Sequence, residues 1–202
     1  MFPSEVLSMT KHTFFALLSF ILMFASTKSE GREILLEGKT SYYLSTNDRF
    51  RNLYGGAGLY RVEANVEVAN HWLVWTNLGY LYASGNTNQG SHSHLHLVPV
   101  ATGVSYFFKQ DPLIPYVGLG PLFAYSYINN GSRYITRHQN GWGGGFLAKL
   151  GFLAYITQKL YLDCYTDYSF IRMHFHYGKK ITVHQKGDLS GFSFGVGLGC
   201  KF

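Results

Sequence analysis

Residues 192–202 read Phe192-Ser193-Phe194-Gly195-Val196-Gly197-Leu198-Gly199-Cys200-Lys201-Phe202. Phe192, Phe194, Val196, Leu198, Cys200 and Phe202 share one parity; Ser193, Gly195, Gly197, Gly199 and Lys201 share the other. Successive side chains of a strand point to opposite faces, so this is a strand with one bulky apolar face and one small face. A tilted strand of about 9–11 residues crosses a bilayer, and the alternation lasts that long. The convex side of a cylinder has more room, so the bulky face belongs outside and the small face lines a narrow interior. A soluble ligand-binding barrel or sandwich, the competing reading, turns long polar side chains outward. An apolar outer face points instead to lipid as the surrounding medium.

Other stretches repeat the pattern. Residues 60–68 set Tyr60, Val62, Ala64, Val66 and Val68 against Arg61, Glu63, Asn65 and Glu67. The same alternation runs through 98–108, 117–127, 142–156 and 160–170. It is weaker in 72–82, where Asn77 and Gly79 hold the minor face, and in 34–44, where Glu37, Lys39 and Ser41 oppose Leu36, Thr40, Tyr42 and Leu44. With 192–202 this gives eight strands, an even number as single-chain outer-membrane barrels require. The predicted fold is all-β: an eight-stranded antiparallel up-and-down transmembrane barrel.

Composition agrees. Charged residues are 14% of the 202 residues, too few to cover a soluble surface that ordinarily carries about 25%. A hydrophobic content of 47% excludes intrinsic disorder, and two cysteines exclude a disulfide scaffold. A mean hydropathy of -0.02 excludes a protein of several helical spans.

The chain opens with Met9-Thr10-Lys11-His12, an apolar run over 14–25, and the small residues Ala25, Ser26, Thr27 and Ser29. A basic start, a dozen apolar residues and a small polar stretch form a secretory signal peptide, and the run is too short for a membrane helix. Residues 1–29 are therefore read as the export signal and 30–202 as the barrel, with Met1 or Met9 as the start. The breaks at 70–71, 109–115 and 157–159 are short; those at 45–54, 84–93, 129–141 and 174–189 are longer. Short periplasmic turns and long outer loops are the rule for such barrels, which puts both termini on the periplasmic side.

The terminal run Gly195-Val196-Gly197-Leu198-Gly199-Cys200-Lys201-Phe202 and the start Pro115-Tyr116-Val117-Gly118-Leu119-Gly120 make the chain resemble the small eight-stranded outer-membrane barrels of diderm bacteria, the superfamily of OmpA, OmpX and OmpW-like proteins. The resemblance implies a terminal signal read by the barrel-insertion machinery, with Phe202 as its aromatic end and Cys200, Leu198 and Val196 before it. It implies architecture and is weak for activity, since one fold hosts many tasks.

An eight-stranded barrel is just wide enough for its own side chains to fill. The inward parity carries Glu37, Lys39, Arg61, Glu63, Glu67, Lys149, Asp163 and Asp167. Buried charges must pair or draw in water. Two readings follow: an internal salt-bridge plug that fixes strand register, and a gated polar path.

The outer loops are basic and rich in histidine. Arg49, Arg51, Arg133, Arg137, Arg172, Lys179, Lys180 and Lys186 fall in or beside them, opposed there by Asp48 and Asp188. His92, His94, His96, His138, His174, His176 and His184 lie there too. Such a rim suits anionic partners: lipopolysaccharide phosphates, host surfaces or anionic glycans. It equally suits solvated loops resting against the surrounding headgroups. His92, His94 and His96 recur at every second position, which on a strand places them on one side within reach of one metal ion. Cys164 and Cys200 share the outward parity; a final hairpin symmetric about residue 182 would bring them together as a disulfide.

No cofactor motif and no nucleic-acid reader motif is present, and a monomer is expected. The predicted role is structural or surface interaction. Two alternatives stay open: a lipid A-modifying enzyme using Ser169, Ser132, His138, His174 or His176, and a narrow OmpW-like transporter of small apolar solutes.

Overall fold

The computed structural model describes residues 33–86, 92–108, 112–130, 138–176 and 185–202; the predicted export segment lies outside them. The elements are β1 (Ile34–Ser45), α1 (Asp48–Tyr54), β2 (Gly56–Ala69), β3 (Trp72–Asn86), β4 (His92–Phe107), β5 (Leu113–Asn130), β6 (His138–Tyr155), β7 (Leu160–His176), β8 (Gln185–Asp188) and β9 (Gly191–Lys201). Every neighbour pairs antiparallel. β1 to β7 follow in chain order, β7 pairs with β9, and β9 returns to β1. The sheet thus closes into an eight-stranded all-antiparallel β-barrel. Closure removes the free edges that would otherwise recruit another chain. β8 and β9 form one stave: Arg172 opposes Asp188 and Ser169 opposes Gly191, so the register carries through the break.

Parity follows the sequence pattern. Val62 is 66% exposed and Phe123 63% on the outside, while Glu63 is 1% exposed and Asp163 0% inside. That inverts the arrangement of a water-soluble protein and fits a barrel wall solvated by lipid. Phe202 completes the seam: its backbone N–H donates to the Ile34 carbonyl at 2.9 Å, and Ile34 N–H donates back to Phe202 at 3.3 Å.

Two features depart from the expected outline. The strands run past the predicted limits at the long-loop end; β4 begins at His92 rather than Val98, and β7 ends at His176 rather than Phe170. Arg172 therefore sits in a strand, not a loop. The first long loop also contains α1. Arg51 N–H donates to the Asn47 carbonyl at 2.9 Å, Asn47 Nδ2 donates to the Asp188 carbonyl at 3.0 Å, and Gly55, at φ 67°, ends the helix in the left-handed conformation glycine favours.

The lumen is filled. Its long-loop half holds an apolar cluster that includes Tyr43, Phe50, Leu81, Leu95, Leu97, Leu122, Ile171 and Met173. Its short-turn half holds Leu35, Leu73, Phe107, Tyr116, Leu153, Tyr161 and Tyr165.

Candidate functional site

Between the two clusters lies a band of buried charge. β1 and β2 place Glu37 opposite Glu63 and Lys39 opposite Arg61, like against like. Directly opposed like charges destabilise a ladder, and these side chains instead find opposite charges along β1, diagonally on β2 and across the lumen. Lys39 Nζ lies 2.9 Å from Glu37, 3.3 Å from Glu63 and 2.8 Å from Asp163. Lys149 pairs with Glu63, and Arg61 lies 2.5 Å from Asp167. Neutral donors complete the set: Asn77 donates to Glu63 at 3.1 Å, Asn65 to Glu37 at 3.3 Å, and the Tyr116 hydroxyl to Asp163 at 2.9 Å.

Each cation also lies over an aromatic ring. Lys39 is 4.6 Å and Arg61 5.0 Å from the centre of Tyr165, and Lys149 is 4.4 Å from Trp75. A cation over a ring gains electrostatic stabilisation, more so away from water. Sequence reasoning missed Trp75, Tyr116 and Tyr165 as partners of these charges, although each stands at the inward parity of its strand. Glycine makes the packing feasible. A Cβ at Gly197 would meet Lys39 Cγ at 3.1 Å and Asp163 Cβ at 3.4 Å, so its missing side chain lets Lys39 on β1 reach Asp163 on β7 across β9.

Of the eight inward charges named from sequence, Glu37, Lys39, Arg61, Glu63, Lys149, Asp163 and Asp167 are buried in this band. Glu67 is half-buried beside the irregular register at Glu67/Ala69, near the short-turn end.

The cysteine pairing is corrected. β7 and β9 place Cys164 opposite Val196 and Cys200 opposite Leu160, and both cysteines are free. The hairpin is centred two residues earlier than the assumed 182, which slides the two thiols four residues out of register.

At the long-loop end of the outer wall, His94 and His96 lie on one face, as alternation predicts. The Tyr82 hydroxyl bonds His94 Nδ1 at 2.9 Å, and the Tyr80 hydroxyl bonds His96 Nδ1 at 2.7 Å. Each ring thus has one nitrogen committed to a phenol. Among the described residues no group of three metal-binding side chains forms; the His92 side chain lies outside them.

Of the basic residues, Arg51 is exposed on α1 and lies 2.5 Å from Asp48. Arg172 faces outward, 5.1 Å from the centre of the Phe170 ring. The side chains of Arg49, Arg133, Arg137, Lys179, Lys180 and Lys186 lie outside the described residues. The serine–histidine grouping considered for catalysis is split by the wall: Ser169 is inward and donates to the Gly191 carbonyl, whereas His174 faces outward. Ser132 and the side chains of His138 and His176 lie outside the described residues.

No family model and no curated protein matches the sequence. Solved structures do. The outer membrane protein OprG of Pseudomonas aeruginosa aligns with a TM-score of 0.60 at 12% identity, over 84% of this chain and 95% of that one. This is an eight-stranded barrel with the fold of that outer-membrane protein. Ail, the attachment invasion locus protein of Yersinia pestis, gives 0.55 at 12% identity over 86% of this chain and all 100% of its own. The Outer Membrane Protein W of E. coli gives 0.54 at 15% identity over 87% and 100%. At these identities the likeness is one of fold, and this barrel's particular task must be read from its own residues.

Proposed function

We propose that this barrel is a sealed wall element that works from its outer face, in a structural or surface-interaction role, with its basic loops as the contact for polyanions. The observation that carries the reading is the filled lumen: seven buried charges knitted together between two apolar clusters. A barrel of this strand number is just wide enough for its own side chains to fill. The loop cations supply the electrostatic attraction. Ail, a protein of like fold, has been solved with the heparin analogue sucrose octasulfate, which favours the polyanion class.

Two measurements test the reading. The protein reconstituted in a planar bilayer is expected to show no steady ion conductance; a steady conductance altered by Lys149→Ala would overturn the seal. The folded protein in detergent is expected to bind a heparin column and elute earlier as salt rises, because the attraction is screened. Retention that ignores salt would remove the polyanion contact.

A second reading, a narrow carrier of small apolar solutes, has one observation in its favour. The long-loop half of the lumen is lined by Leu81, Leu95, Leu97, Leu122, Ile171 and Met173 beneath Phe50. Entry of a small apolar fluorophore into protein-loaded vesicles, above that of empty vesicles, would favour it over the sealed wall.

A further inference from the structure

β3, β4, β5 and β6 contain no aspartate or glutamate at all. On the outer wall of that acid-free sector, at the long-loop end, two histidines stand among tyrosines. His94 and Tyr82 are stacked, with ring centres 6.0 Å apart. His96 lies 5.2 Å from Tyr82 and 6.3 Å from Tyr127 by the same measure. The register explains the grouping: His96 on β4 opposes Tyr82 on β3 and Tyr127 on β5, while His94 opposes Ser84 and Asn129. The groups facing the two rings from both flanking strands are therefore phenols, a hydroxyl and an amide.

Height on the wall matters as much. A membrane strand needs about 9–11 residues, and 97–107 of β4 supplies them from the short-turn end. His94 and His96 then sit just beyond the hydrocarbon, at the level of phosphorylated headgroups. With short turns on the periplasmic side, that is the outer leaflet.

We propose that His94 and His96, held by Tyr82 and Tyr80, form a wall-mounted site for the phosphate of an outer-leaflet lipid, and that mild acid tightens it. Each phenol donates to Nδ1 of a neutral ring and accepts from Nδ1–H of a protonated one, so the ring keeps its orientation through titration. Nε2 is the other donor and is the atom offered to phosphate oxygen. Burial, and then the neighbouring His94, holds the His96 imidazole below its ordinary value, so its charge is gained at lower pH than that of a free imidazole. A phosphate monoester loses part of its own charge near pH 6, which opposes the effect. His96 passes from neutral to charged while each phosphate keeps at least one negative charge, so attraction gains more than the ligand loses. The site differs from the loop contact in place and in ligand, and it stands whether or not the loops bind polyanions.

The experiment uses the folded full barrel in detergent and fluorescently labelled bisphosphorylated lipid A as the probe. Binding is expected to be about fivefold tighter near pH 5.5 than near pH 7.5. The variant carrying His94→Gln and His96→Gln should lose that pH dependence while its retention on heparin stays as in wild type. Both residues face outward, so the variant should still fold, which the heat-dependent shift in gel mobility checks. The variant carrying Tyr80→Phe and Tyr82→Phe keeps both imidazoles and frees their Nδ1 atoms; it should bind more weakly at acid pH. Equal wild-type affinity at the two pH values overturns the proposal, as does an unchanged pH dependence in the histidine variant. Equal binding of dephosphorylated lipid A, or displacement by inorganic phosphate at matching concentration, overturns the assignment to a lipid phosphate.

Discussion

Lys149 is buried, and its pair with Glu63 is made away from water, over the ring of Trp75. Removing one member of such a pair leaves a charge stranded in the lumen, which costs about 3–5 kcal/mol in comparable cases. Lys149→Met is therefore expected to lower the stability of the vesicle-folded barrel by about 3 kcal/mol in a urea titration. Lys149→Met combined with Glu63→Gln should be less destabilising than the two losses added, because the pair is removed together. Additive losses would show that Glu63 draws its support from Lys39 and Asn77 alone. The individual charges were legible in the sequence, because period two assigns each to a face. Their partners were not. Lys39 reaches Asp163 two staves away through the gap at Gly197, and no local spacing encodes a contact across a closed cylinder. The cysteines teach the same lesson: parity put both thiols outside correctly, but pairing depends on where the hairpin is centred, and the long loop hid that centre.

At the scale of the element, α1 is the piece that sequence periodicity could not supply. Its seven residues, Asp48–Tyr54, make fewer than two full turns, too short for a helical stripe to declare itself. Its position comes from tertiary contacts. Phe50 is buried against Tyr43 and Tyr54, with ring centres 6.2 and 4.9 Å away, and the Tyr54 hydroxyl bonds Ser93 Oγ at 2.8 Å. Burial holds the Tyr54 phenol above its ordinary value, with the Ser93 bond offsetting part of the effect. A Cβ at Gly85 would collide with the Leu53 carbonyl, so glycine there lets the helix settle onto β3. Phe50→Ala is expected to cost about 3 kcal/mol, the usual scale for emptying a buried aromatic site. It should also speed proteolysis between β1 and β2 relative to wild type. An unchanged cleavage rate would show that the segment is held by the bonds just before the helix, from Thr46 N–H to the Ser190 carbonyl and from Asn47 Nδ2 to the Asp188 carbonyl, rather than by Phe50. The strands themselves were legible; their extra height at the long-loop end was not, because residues above the hydrocarbon need not keep an apolar outer parity.

For the whole molecule, everything rests on which medium bathes the bulky face. Leu119 is 56% exposed near the middle of β5's outer wall, and Ile156 is 59% exposed in the short turn after β6. Water would treat these two positions alike, since both are open surface sites. A bilayer would not. Arginine facing hydrocarbon near the midplane of a barrel costs about 2–4 kcal/mol, whereas near the interface it costs about 0–1. Leu119→Arg is thus expected to lower the folding stability in vesicles by about 3 kcal/mol, and Ile156→Arg by less than about 1. Neither change touches the buried band, so a difference between them reports depth in lipid and not repacking of the lumen. The contrast should shrink in detergent micelles, whose surface lets a long side chain reach water. Equal and small losses at both positions in vesicles would mean that the bulky outer face does not lie in a membrane. A sealed lumen would then have no barrier to seal, and the headgroup-level placement of His94 and His96 would lose its meaning with it.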